Sequence, residues 1–143
     1  MRTTKSKQAM KFKIPKKIPS LSDMLELDGN TFGDQERFSF HCLSLSTASM
    51  LLLSFKLVPF NEQTILELSI DPYSQKLPEP ISCCVRINRI EKHPSPMVRE
   101  FNNSIKFHEP IKSLLSVQIT QISSEHHQAL EKYFLDLILG EAS

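Results

Sequence analysis

Residues 37–58 read RFSFHCLSLSTASMLLLSFKLV, and this stretch decides the fold. Phe38, Phe40 and Cys42 alternate with Ser39 and His41, the period of a β-strand. Leu51, Leu53, Phe55 and Leu57 then alternate with Met50, Leu52, Ser54 and Lys56. That second strand is apolar on much of both faces, as a barrel or sandwich strand is. Between the two lies SLSTAS, residues 44–49, with four hydroxyls in six positions and no Gly, Asn or Asp. Small polar residues between strand patterns mark a tight turn, although Gly, Asn and Asp are the usual ones. Two readings stay open at this point: plain hairpin chemistry, or a ligand-binding turn whose usual residues have been replaced.

The flanking sequence extends the β pattern. Met24, Leu25 and Leu27 precede an Asp28-Gly29 turn signal, predicting a short strand and a turn. TILELSI (64–70) carries Leu66, Leu68 and Ile70 on one side, and DPYSQKLPEP (71–80) reads as an exposed loop. ISCCVRINRIE (81–91) puts Ile81, Cys83, Val85 and Ile87 on one face. KHPSPMVRE (92–100) reads as a proline-containing loop, and FNNSIKF (101–107) as a strand with Phe101, Asn103, Ile105 and Phe107 on one face. SVQITQI (116–122) adds a last strand. The period then changes: Leu130, Tyr133, Phe134, Leu137 and Ile138 are spaced as on a helix. Ser123 or Ser124 suits its N-cap, Glu125 its first turn and Gly140 its C′ position. The expectation is an all-β fold, a small antiparallel barrel or sandwich of six or seven strands, with a C-terminal α-helix (124–139) packed on it. The predicted core is Phe38, Phe40, Leu51, Leu53, Phe55, Leu66, Leu68, Val85, Ile87, Ile105 and Phe107, with Leu130, Phe134 and Leu137 docking the helix.

Composition bounds the function. A chain of 143 residues, 40% hydrophobic and 23% charged, is an ordinary globular domain plus tails. It has no apolar run long enough to span a bilayer, and its basic N-terminus lacks the apolar stretch of a secretory signal. Cys42, Cys83 and Cys84 suggest no disulfide framework, so a reduced, cytoplasmic protein is expected. Three glycines exclude a glycine-rich phosphate loop. The net charge of +1 hides an asymmetry: residues 1–17 carry seven basic residues and no acid, and the other ten Lys and Arg face all 16 Asp and Glu. We divide the chain into a basic N-terminal arm, 1–19, and a barrel domain, 20–143. The arm is either a solvated tail or a contact for an anion such as nucleic acid, anionic lipid or a phosphorylated ligand.

No catalytic constellation emerges, so the chain reads as a non-enzyme. His41, His93, His108, His126 and His127 show no zinc spacing with the cysteines. Cys83 and Cys84 are neighbours on a strand and point to opposite faces, as do His41 and Cys42, so neither a metal pair nor a Cys/His nucleophile is supported. No cofactor is called for. A generic β-barrel nucleic-acid or anion-binding domain using the arm is the alternative class. Against it, only Phe12 interleaves the lysines and the chain has no Trp for base stacking.

The whole layout resembles a PilZ domain, the bacterial receptor module for cyclic di-GMP. The resemblance covers roughly residues 11–139. It lies in the order of a basic segment, a hairpin with a small-residue turn, the strand VRINRIEK (85–92), the ending IKF (105–107) and the helix HHQALEKYFLDLI (126–138). It implies a six- or seven-stranded PilZ-like barrel and a signalling module with cyclic di-GMP as ligand. Such domains carry RxxxR in the leading segment and [D/N]xSxxG at the turn. Here Lys13 and Lys17 take the spacing of the first motif, with Lys16 one register away, and Ser44, Ser46 and Ser49 take the second, where only Ser46 keeps the motif residue. Lysine keeps the charge but lacks arginine's planar fork. The resemblance thus implies either a receptor using Lys13, Lys16, Lys17, Ser44, Ser46 and Ser49, or a degenerate adaptor that acts through a protein partner in motility, pili or regulation. The terminal helix offers a face for a homodimer.

Overall fold

The computed structural model describes residues 18, 20, 21, 24–33, 36–46, 48–70 and 80–142, without the side chains of 133, 134 and 136–142. The described elements run β1 (Leu25–Asn30), β2 (Phe38–Leu45), β3 (Ser49–Ser54), β4 (Ile65–Ile70), β5 (Ile81–Lys92), α1 (Pro96–Ser104), β6 (Ser113–Ile122) and α2 (Ser124–Ala142). The six strands close into a barrel in the order β1-β2-β3-β6-β5-β4, every pair antiparallel. Among the described residues every strand has a neighbour on both sides, so closure leaves no free edge strand.

Alternation along the strands builds the interior. Leu27, Phe40, Leu52, Leu66, Leu68, Val85, Ile87, Leu115 and Val117 fill the barrel, each buried. Leu130 of α2 joins them, so the terminal helix plugs one barrel end. Each such side chain contributes about 1.5–3 kcal/mol when fully buried.

A second core lies outside the barrel, and it explains why β3 is apolar on both faces. Leu43, Leu51, Leu53 and Leu114 face outward and are covered by Val98, Phe101 and Ile111, with Met24 beside them. Leu51 and Leu53, expected in a single core, belong to this outer one. Phe55, Ile105 and Phe107 are half-buried at its rim, and Phe38 is half-buried against the barrel core.

Three local expectations are corrected. The segment read as a proline loop and then a strand, 92–107, holds helix α1 instead. Ser95 caps it, its hydroxyl accepting from the Val98 N–H at 3.4 Å, and Pro96 occupies the first turn. Val98 and Phe101, three residues apart, are its buried pair. The alternation of Phe101, Asn103, Ile105 and Phe107 competed with that spacing and lost. Asn102 fixes the helix to the loop after it, exchanging hydrogen bonds with the Ile111 N–H (2.9 Å) and C=O (3.0 Å). Asp28-Gly29 is not a turn but part of β1. A Cβ at Gly29 would stand 2.8 Å from Leu68 Cδ2 and 2.9 Å from Phe40 Cε2, so glycine is there for space. The turn falls later, at Phe32-Gly33. Finally, α2 runs past Gly140 to Ala142, so Gly140 does not end it.

Candidate functional site

The turn between β2 and β3 follows a bulge in β2 and is closed by Ser46 and Ser49. Cys42 and Leu45 both pack against the barrel core although they are three residues apart, and the β2–β3 register shifts between Cys42 and Ser44. That bulge places Leu43 and Ser44 together on the outer side. Ser44 is half-buried opposite Leu51, and its carbonyl accepts the Cys42 thiol at 3.2 Å. Leu45 pairs with Met50, and the chain reverses between them, with Ser49 the first residue of β3. The Ser46 N–H donates to the Ser49 carbonyl at 2.8 Å, and the two hydroxyls share a hydrogen bond at 2.7 Å. The Ile119 N–H donates to the Ala48 carbonyl at 2.8 Å, tying the turn to β6. Side-chain hydroxyls thus close a turn that glycine or asparagine would ordinarily shape.

Ser44, Ser46 and Ser49 are therefore brought together at one corner of the barrel. Lys13, Lys16 and Lys17 lie outside the described residues. Ile18, the nearest described residue after them, packs against the outer core.

Beside the turn is a cavity of about 210 Å³, lined by Leu45, Ser46, Ile119, His127, Leu130, Glu131 and Leu135. Its floor is apolar, and Leu135 at its margin is 56% exposed. His127 Nδ1 and the Glu131 carboxylate, 3.2 Å apart on successive turns of α2, form its polar rim. Apolar cavities of about 150 Å³ hold a benzene ring, so this one has room for a flat ring with polar edges. Sequence patterning did not point to it, because α2 and the turn are some eighty residues apart and meet only through closure of the barrel.

The outer face next to the turn holds a second feature without a sequence signature. Ser49 of β3 is in register with Gln118 of β6, and Gln118 with Arg86 of β5. Arg86 Nη2 donates to Gln118 Oε1 at 3.0 Å, while Nε is covered and has no hydrogen-bond partner. A buried donor without a partner costs about 1–3 kcal/mol.

The thiols are unsuited to nucleophilic chemistry. Burial pushes Cys42 and Cys83 up to about 12, and Cys84 is raised too, by burial and then by Glu67. Thiols held protonated at neutral pH are poor nucleophiles. Cys83 and Cys84 line a more polar hollow of about 390 Å³ with Glu67, Ser82 and His126, where the Ser82 N–H donates to His126 Nδ1 at 3.3 Å. His126 is thus hydrogen-bonded to the barrel at the start of β5. Among the described residues no three His, Cys, Asp or Glu side chains gather where a metal ion could sit, and no helix is long and apolar enough to cross a membrane.

Comparison with known proteins places the fold. No protein-family model and no curated protein matches the sequence. Among solved structures, the Bacillus subtilis inhibitor of motility MotI/DgrA superposes with a TM-score of 0.61 at 14% identity, over 90% of this chain and 54% of that one. The PilZ domain of YcgR from Escherichia coli, with cyclic di-GMP, gives 0.58 at 14% identity over 87% and 89% of the two chains. MrkH from K. pneumonia in its apo state gives 0.59 at 12% identity over 92% and 54%. The chain thus spans about half the length of MotI/DgrA and MrkH and nearly all of the YcgR domain. Its fold is PilZ-like.

Proposed function

We propose that this PilZ-like barrel is a non-enzymatic signalling module that receives cyclic di-GMP at the β2–β3 turn and passes the signal to a protein partner. The observation that carries this reading is the placement of Ser44, Ser46 and Ser49 on one turn beside a ring-sized cavity. The fold shared with a YcgR domain holding cyclic di-GMP supports it. Ser46 and Ser49 exchange their mutual bond for bonds to the ligand, and the cavity between the turn and α2 takes a flat base against Leu45, Ile119 and Leu130. The basic arm supplies charge for the phosphates through Lys13, Lys16 or Lys17, and closing of the arm over the barrel alters the surface shown to the partner. A motility inhibitor among the structural neighbours supports a partner in motility control.

A thermal melt with and without cyclic di-GMP tests the reading. Ligand at a hundredfold its Kd adds about 2.7 kcal/mol of stability, which raises the midpoint by several degrees. An unchanged midpoint at millimolar ligand contradicts it. The second reading, an adaptor that binds no nucleotide, is favoured by one observation: the Ser46 and Ser49 hydroxyls already satisfy each other. An unchanged midpoint is its prediction.

A further inference from the structure

Arg86 stands half-buried on the outer face of β5 with its hydrogen bonding half complete. In a guanidinium, the Nε and Nη2 hydrogens lie side by side along one edge. That edge matches a group with two oxygens, a carboxylate or a phosphate. Gln118 offers it one oxygen, at 3.0 Å from Nη2, and Nε goes without. The row running from the turn across this face is Ser49, Gln118, Arg86 and then Ile65 of β4. It contains donors and a cation and no carboxylate. Strand spacings of about 4.7–5.5 Å put Arg86 about two strands, some 10 Å, from the turn. Arg89, further along β5, is by contrast engaged by Glu91 at 3.2 Å.

We propose that Arg86 is an oxyanion-binding residue: it leaves Gln118, turns outward, and takes the two free oxygens of a phosphodiester on the ligand seated at the β2–β3 turn. This rests on the reading of that turn as a ligand site. Arg86 supplies the planar fork that Lys13, Lys16 and Lys17 lack, from a strand rather than from the arm. Gln118 is the placeholder. It holds the guanidinium in the absence of ligand through a single neutral acceptor, and that bond is readily exchanged for a charged one.

Calorimetric titrations with cyclic di-GMP test this on the wild type, Arg86→Lys and Gln118→Glu, with folding verified by melting. Lysine keeps the charge and loses the fork, so affinity falls tenfold or more. Glutamate fills the fork from within, so the melting midpoint rises while affinity again falls tenfold or more. Affinities within twofold of wild type in both variants overturn the inference and leave the turn reading standing. If the wild type gives no heat, the turn reading fails by itself. The oxyanion site is then read from the Arg86 Nε–H NMR signal during addition of sodium pyrophosphate. A shift absent with sodium chloride at equal ionic strength supports the site, and a stationary signal overturns it.

Discussion

The Ser46 and Ser49 hydroxyls lie 2.7 Å apart, each the other's hydrogen-bond partner across the β2–β3 turn. This pair ties the two sides of the turn through their side chains, and it occupies two of the three positions at which the resemblance expects ligand contacts. Ser46→Ala removes the hydroxyl that contacts the Ser49 hydroxyl at 2.7 Å and the Ser49 carbonyl at 3.4 Å. The loss in urea denaturation is expected to be small, about 0.5–1.5 kcal/mol. Affinity for cyclic di-GMP is expected to fall more steeply, because the same hydroxyl then makes no ligand bond.

Restoring the motif should improve the site. The double variant Ser44→Asp, Ser49→Gly puts the motif residues on a backbone that already turns there. Cyclic di-GMP affinity is expected to rise by tenfold or more in a titration run alongside the wild type. An affinity equal to or below that of the wild type counts against the turn as the reading element.

Gly29 tests the barrel interior. In Gly29→Ala the new methyl meets Leu68 Cδ2 at 2.8 Å and Phe40 Cε2 at 2.9 Å. Both side chains are fully buried, so neither moves without disturbing its neighbours. Overpacking of this kind costs about 1–3 kcal/mol, to be read as a lower urea midpoint.

Asn102 tests the outer core. Asn102→Ala leaves the Ile111 N–H and C=O without the partners they have at 2.9 and 3.0 Å. A loss of about 1–3 kcal/mol is expected, with early hydrogen exchange in α1 and retained protection in β5 and β6.

The buried thiols predict an alkaline limb. Cys42 and Cys83 ionise near 12 in the folded chain, against an ordinary value of 9.0. Between those values the unfolded chain has released a proton that the native chain still holds, so stability falls as pH rises. Their contribution is complete below about pH 9 and is lost as pH climbs toward about 12. Urea midpoints measured from pH 8 to 11 should decline, and Cys42→Ala should flatten part of that decline.

The barrel was legible in the sequence because its signal is local: period-2 alternation in Phe38–Leu45, Ile65–Ile70 and Ile81–Lys92 identifies strands without knowledge of their partners. The two-faced β3 was legible as well, but not its reason, since the second core under α1 draws on Leu43, Leu51, Val98 and Leu114 from distant segments. Helix α1 is obscured in the sequence where two periods overlap at Phe101, and the Ser95-Pro96 start is the signal that distinguishes them. The turn serines were found because they are contiguous. Arg86 and Gln118 were not, since they are 32 residues apart and meet Ser49 only through the β3–β6–β5 register. Pairing of that kind is a property of topology rather than of any window of sequence.

An isothermal calorimetric titration of cyclic di-GMP into the wild-type chain tests the central claim most directly. A saturable heat that Ser46→Ala diminishes is expected. Absence of heat at high micromolar ligand, with a chain that melts cooperatively, contradicts it and leaves a PilZ-like barrel that works through protein contacts alone.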